Sequence, residues 1–438
     1  MNATKFRVVP GLLFTLAALL TSLSASAAQA QTAADESATA AATVPTVTRF
    51  HFSDNGDDRA GRMTVDAAGN FYVSASLDSS GHPSGLAVLK YNFNGTLQGA
   101  FRYKNAAGEF GGFAQAVKVD RQGNIYAAGQ TSVGGVVISF TSAGVQRWAA
   151  RFASSAGNPV ALAIDASGNI YAAGNGGHGG SDGVGPLLEW VIIKYSSSGN
   201  VLWEQHHTGA PSLDSRVTDI QLDSGGNPIV VGTTSNDPAT LINQMTVVKL
   251  NPHGDTLWAK DFAVPHNSLV PGGLAIDRGS NVYATSATNS PEGIATSFTV
   301  KYDPNGVLKF VLQGKDAGGN SVAVDPAGDI LLTGSTNSFA GPPSIEAIKI
   351  HPSGAKVWVT QIPATGKILS DSAGNVFVAG FGFAITKLSP GGAVLFTSTI
   401  LPGDDVTAAV VDPFNNVLAT GFGPNAQFNN DIFTVRLK

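Results

Sequence analysis

The feature that most constrains this chain is a short phrase that recurs eight times, because a fold must repeat wherever its sequence does. The phrase reads VDAAGNFYVSA from Val65, VDRQGNIYAAG from Val119, IDASGNIYAAG from Ile164 and LDSGGNPIVVG from Leu222. It continues as IDRGSNVYATS from Ile276, VDPAGDILLTG from Val324, SDSAGNVFVAG from Ser370 and VDPFNNVLATG from Val411. Its aspartates, Asp66, Asp120, Asp165, Asp223, Asp277, Asp325, Asp371 and Asp412, are separated by 54, 45, 58, 54, 48, 46 and 41 residues. Such intervals suit a four-stranded propeller blade and exceed a leucine-rich repeat. With 52 Gly and 22 Pro the chain is poorly suited to long helices and well supplied for turns.

Each repeat carries a second hairpin. VLKYNFNGTLQ from Val88, VIIKYSSSGNVLWEQ from Val191, VVKLNPHGDTLWAK from Val247 and VKYDPNGVLKF from Val300 each place two strands around a glycine-containing turn. The full unit is therefore four strands, a to d, with tight a–b and c–d turns. The last repeat has only one strand, Ile432 to Leu437, after its first hairpin, whereas Val47 to Phe52 has strand character and no partner in its own repeat. Pairing these two would complete the eighth blade and close the ring without open edges. The fold expected is an all-β, eight-bladed propeller over residues 47–438, each blade a four-stranded antiparallel sheet, with the N-terminal strand completing the last blade.

The repeated residues read as construction. In the D-x-x-G-N phrase the aspartate can accept backbone N–H groups of its own turn, and the glycine can take a positive φ. A calcium loop needs six to eight converging oxygens, and one Asp and one Asn per blade do not supply them. The c–d turn glycines are read as Gly199, Gly254, Gly306, Gly354 and Gly391. Trp148, Trp203, Trp258 and Trp358, with Phe396 in the related place, recur at the start of strand d and are expected to pack between blades. Trp190 falls ahead of strand c and fits that layer less well.

Nearly all variation in length and chemistry falls in the b–c and d–a links, which puts any specific binding surface on that face. The longest b–c insertion, Gly174 to Glu189, contains His178 and Asp182. The next link holds His206, His207, Asp214 and Arg216, and Asn236, Asp237, His266, Asn267, Asn289 and Glu292 follow around the ring. Each could recognise a ligand or be ordinary loop surface. Adjacent histidines in a strand point to opposite faces, which weakens His206 and His207 as a two-ligand metal site. The stretch Asp54–Asn55–Gly56–Asp57–Asp58 is a weak ion-site candidate, more simply read as a solvated link. No catalytic, cofactor-binding or metal residue is assigned.

Lys5 and Arg7 precede an apolar stretch, Val8 to Leu23, and small residues through Ala30, the pattern of a secretory signal. Residues 1–30 are read as that signal, and the Ala- and Thr-rich residues 31–46 as a flexible leader. Without residues 1–30 the chain has no transmembrane anchor. The formal charge of -5 gives no electrostatic case for nucleic acid. The absence of cysteine means that an extracytoplasmic fold would be stabilised by stacked repeats and not by disulfides.

The D-x-x-G-N turn before an apolar strand, with the later K-Y/L-x-x-x-G-x-x-x-W phrase, resembles the bacterial beta-propeller repeats of the SBBP class over most of residues 47–438. That resemblance implies a secreted, periplasmic or cell-surface propeller and no single reaction. KLNPHGDTLWAK is more weakly similar to repeats of quinone-dependent dehydrogenases, whose cofactor and calcium ligands are not recognisable here. The expected function is a monomeric scaffold binding a protein or glycan on its variable face. The alternatives are a polysaccharide-active enzyme, which would need paired carboxylates in a central pocket, or a structural surface component.

Overall fold

The computed structural model describes residues 45–437 except 53–55, 80–81, 105–111, 154–156, 179–186, 210–214, 236–241, 266, 290–295, 315–318, 339–340, 401–404 and 425–428. The proposed signal and nearly all of the leader lie outside these residues. The described residues form eight four-stranded antiparallel sheets, each running a-b-c-d. The inner strands a are Arg59–Val65, Phe113–Val119, Asn158–Ile164, Arg216–Leu222, Ser268–Ile276, Ser321–Val324, Gly366–Ser370 and Asp405–Val411. One a–b turn follows each of them at the repeated phrase.

Closure occurs in the eighth blade. Strands a, b and c are Asp405–Val411, Val417–Pro424 and Asn430–Leu437, and strand d is the N-terminal Thr46–Phe50. The register runs from Thr46 opposite Arg436 to Phe50 opposite Ile432. Arg49 forms an ion pair with Asp431, whose side chain is almost fully buried. The link that follows is fastened as well. Asp57 accepts the Asn430 backbone N–H at 2.9 Å, and Asp58 donates its own N–H to the Asn430 carbonyl at 2.8 Å. The buried Asp58 carboxylate accepts the N–H groups of Phe52 and Asp78 at 2.6 and 3.1 Å. Desolvation pushes its pKa up to about 6. Asp57 and Asp58 are thus occupied by backbone groups, and Asp58 is buried where a solvated link was expected. Asp54 and Asn55 lie outside the described residues.

The repeated aspartates act as turn anchors. Asp66 accepts the N–H groups of Ala68 and Asn70, the Asn70 amide and the Tyr72 hydroxyl, all at 2.9 Å. In the fourth blade a lysine joins them, with Lys249 Nζ 2.8 Å from Asp223. Burial opposes ionisation of Asp223, but hydrogen bonds from Lys249 and Asn227 outweigh it and hold the carboxyl below its ordinary value. Lys349 pairs with Asp325 at 2.7 Å and Arg436 with Asp412 at 3.3 Å. Lysines at this place also reach the next blade, Lys249 donating to the Pro304 carbonyl at 3.1 Å and Lys301 of the fifth blade to that of Pro352 at 2.7 Å.

Blades are joined by apolar clusters that straddle them. Met63, Val73 and Leu89 of the first blade pack with Ala408, Leu418 and Ile432 of the eighth. Neighbouring blades cover both faces of strands b and c, which is why Gly134–Phe140 is buried along its whole length. The indoles of Trp148, Trp203, Trp258 and Trp358 donate to carbonyls of Ser197, Pro252, Pro304 and Pro390 in the following blade at 3.0–3.1 Å. The closing strand reaches the first blade through Thr48, which donates to the Gly95 carbonyl at 3.1 Å as Thr360 does to that of Gly392 at 2.7 Å. Trp190 lies within strand c of the third blade (Leu187–Tyr195), not ahead of it. It is fully buried and donates to Thr233 of the fourth blade at 3.0 Å.

One turn glycine is reassigned. The positive φ of the seventh c–d turn, 88°, belongs to Gly392 and not Gly391, because the turn closes from Ser389. A Cβ on Gly392 would lie 2.7 Å from the Trp358 ring, whereas one on Gly328, at φ 91°, would meet nothing within 4 Å. Gly328→Ala should cost about 1 kcal/mol from backbone conformation alone. Gly392→Ala should cost a further 1–3 kcal/mol, roughly, because the indole must move. Chemical denaturation of the two variants checks the ordering; equal costs would remove the turn glycine from the inter-blade contact.

Candidate functional site

The residues nominated on the variable links are only partly brought together. His206 and His207 lie in strand d of the third blade (Val201–His207) and face opposite ways. His206 approaches Glu189 at 3.0 Å through Nδ1 and Glu204 at 3.1 Å through Nε2. His207 packs against Trp190, with ring centroids 5.2 Å apart, and desolvation lowers its pKa. Asn267 donates its amide to the Pro265 carbonyl at 3.0 Å, and Arg216 is exposed at the start of its strand a. Asp182, Asp214, Asn236, Asp237, His266 and Glu292 lie outside the described residues, as do the side chains of His178 and Asn289. The insertion is shorter than the sequence suggests, because His178 ends strand b and Leu187 begins strand c. Among the described residues no group of three or more His, Asp or Glu side chains could hold a metal ion.

The structure points instead to the axis of the ring. All eight strands a line a central cavity of 430 Å³, with walls that include Met63, Val117, Leu162, Leu274, Val322, Ile368 and Val410. Four charged side chains enter it: Arg62, Lys118, Asp219 and Lys367. Arg62 spans from the first blade to the fourth. Its Nη1 lies 2.6 Å from Asp219 Oδ1, and its Nη2 donates to the Thr218 carbonyl at 2.8 Å. Gln221 donates to the Leu274 carbonyl at 2.6 Å and more distantly to Asp219 Oδ2 at 3.4 Å. Asp219 is therefore engaged on both oxygens.

Lys118 and Lys367 make no hydrogen bond or ion pair within the described residues. Both are open to solvent yet surrounded by the channel wall, so desolvation lowers both pKa values. For each, the charge of Arg62 adds to the lowering and that of Asp219 opposes it.

A second cavity of 470 Å³ continues from the first, sharing Arg62, Thr218 and Thr407 with it. It is lined by Arg59, Phe113, Gln115, Val160 and Phe422, near the ends of strands that receive the variable links. This is the mouth of the channel. Phe113 is 58% exposed, and the Arg59 guanidinium sits 5.7 Å from the Phe422 ring centroid.

None of these channel residues was nominated from sequence. Arg62, Asp219 and Lys367 each stand four residues before the repeated aspartate of their blade, where other blades have Ala116, Ala161, Gly273, Ser321 and Ala408. Lys118 stands two before Asp120. Reading that column across the repeats would have exposed three of the four.

No protein-family model and no curated protein matches the chain. Among solved structures it is similar to BamB from Moraxella catarrhalis, at 14% identity and a TM-score of 0.55, covering 90% of this chain and 99% of that one. It is also similar to the computationally designed Ika8 protein, at 14% identity and a TM-score of 0.51, covering 86% and 97%. At this identity the likeness establishes the propeller fold and nothing about ligand.

Proposed function

We propose that the chain is a secreted or cell-surface propeller of the SBBP-repeat type that binds a protein or glycan on its variable-link face. The observation that carries this reading is the channel mouth, where exposed Phe113 stands beside Arg59 and Phe422 at the ends of the strands that receive the irregular links. Aromatic and arginine side chains give large contact areas at low entropic cost and dominate many binding surfaces. The extracytoplasmic setting rests on the signal pattern of residues 1–30. No helix among the described residues is long and apolar enough to cross a membrane.

Binding is favoured over glycoside hydrolysis by the channel chemistry. Hydrolysis of that kind uses two carboxyl groups flanking the scissile bond. The described lining contains one, Asp219, already held by Arg62.

A glycan and peptide binding screen on the full processed chain tests the proposal. Selective retention is expected, and Phe113→Ala should weaken it about tenfold without lowering the unfolding temperature, since the side chain is mostly in solvent. Retention of nothing across a broad screen would overturn the binding role, and turnover of a retained ligand would replace it with catalysis.

A further inference from the structure

We infer that the central channel is a binding site for a small oxyanion, a carboxylate or a phosphate group carried on a molecule with some apolar surface. Lys118 and Lys367 are its primary contacts, and Arg62 is the fixed third cation.

The charge balance is the first argument. Among the described lining residues there are three cations and one anion, and the anion is committed to one of the cations. Two ammonium groups are left facing a common space without a partner. A strand residue that served only to fill the axis would be small or apolar, as Ala116, Ala161, Gly273 and Ala408 are in the column of Lys367, and Ala163, Ala275, Ala323, Leu369 and Val410 in that of Lys118. Placing like charges there raises the energy of the empty channel, and a bound oxyanion removes that penalty.

Preorganisation is the second. Asp219 and the Thr218 carbonyl hold the Arg62 guanidinium across the axis, and Gln221 is in turn held by the Leu274 carbonyl. Arg62 therefore contributes a fixed positive field whose orientation is set before any ligand arrives. The lysines, on longer unbranched stems, can close on an oxyanion from the second and seventh blades.

Size and lining supply the third. A cavity of 430 Å³ lies in the range of small-molecule sites, and its apolar residues would cover a short hydrocarbon body. Its continuity with the mouth gives a path of entry from the variable face. This site does not depend on the macromolecular ligand proposed above.

The test uses titration calorimetry on the full processed chain at low ionic strength, with succinate, citrate, inorganic phosphate and sulfate, and with succinamide as the neutral control. At least one oxyanion should bind and succinamide should not. Preference for succinate or citrate identifies a carboxylate ligand; preference for phosphate or sulfate identifies a phosphorylated one. The double variant Lys118→Met, Lys367→Met should weaken binding at least about tenfold. Its unfolding temperature without ligand should stay the same or rise, because two desolvated like charges are removed. Lys118→Gln alone provides the same comparison if the double variant does not fold. Lys309→Met, in strand d of the fifth blade and outside the channel lining, should leave oxyanion binding intact, which separates the channel from general surface charge. No binding by any oxyanion at about 10 mM, or undiminished binding by the lysine variants, would overturn the inference.

Discussion

Deleting residues 45–50 should destabilise the propeller by on the order of 5 kcal/mol, the largest effect expected of so short a change. Strand d of the eighth blade would be lost, and the ladder groups of Asn430–Leu437 that face it would have no partner. Net hydrogen-bond contributions of roughly 1 kcal/mol each would be lost along that edge. Asp431 would also lose Arg49 while its own carboxylate remained in a buried position. Taking a cationic partner away from a buried carboxylate adds to that cost. Thermal unfolding of the deleted protein, with hydrogen exchange followed at residues 430–437, reads the effect directly. An unchanged unfolding temperature would mean that the ring is not held by this strand. Increased self-association should accompany the loss, because the bared edge can pair with another chain.

Replacement of Asp223 by alanine should cost about 3–5 kcal/mol, whereas the equivalent change at Asp66 should cost about 2 kcal/mol. The phrase is the same in both blades, but its surroundings are not. Asp66 holds its turn and the Tyr72 hydroxyl, and Lys90 of that blade reaches across to the Ser142 carbonyl. Asp223 also neutralises Lys249, whose side chain is only 4% exposed. Removing Asp223 leaves an ammonium enclosed with a single carbonyl partner at Pro304. The double variant Asp223→Ala, Lys249→Met should recover much of the loss, since no buried charge is then orphaned. Urea unfolding of the wild type, Asp223→Ala, Lys249→Met and the double variant completes the cycle, and Asp66→Ala supplies the comparison. Equal costs at positions 66 and 223 would show that the turn bonds alone set the value.

The repeated phrase made the architecture legible because the D-x-x-G-N turn appears five times, and three close variants, DRGSN, DPAGD and DPFNN, complete the eight. The incomplete ends then dictated closure, and Thr46–Phe50 pairs with Asn430–Leu437 as that logic requires. The partners of the phrase were harder to see. Lys249 follows Asp223 in the sequence by 26 residues, and nothing local marks it as the counter-ion.

The candidate site was the least legible part. Sequence directed attention to histidines and acids on the links, where composition is irregular. The axis is lined by one to four residues from each of eight strands, so Arg62 and Asp219 meet across 157 positions. A constellation contributed one residue per blade leaves no spaced motif. It becomes visible only when each repeat is aligned on its aspartate and the columns inside strand a are compared. Trp190 was obscured for a different reason: the glycine-rich insertion hides where strand c begins, and the strand extends back to Leu187.

The shared eighth blade also sets a timetable. Arg49 is made 382 positions before Asp431, so the strand that locks the ring must wait until the other blades have been made. During that interval seven blades can stack on their neighbours through local contacts, while residues 46–50 have no strand to join. Emergence of residues 430–437 is then the event that shuts the ring, and a chain cut short before residue 430 keeps an open sheet edge. That edge distinguishes an unfinished molecule from a finished one, for any protease or chaperone able to bind an unpaired strand.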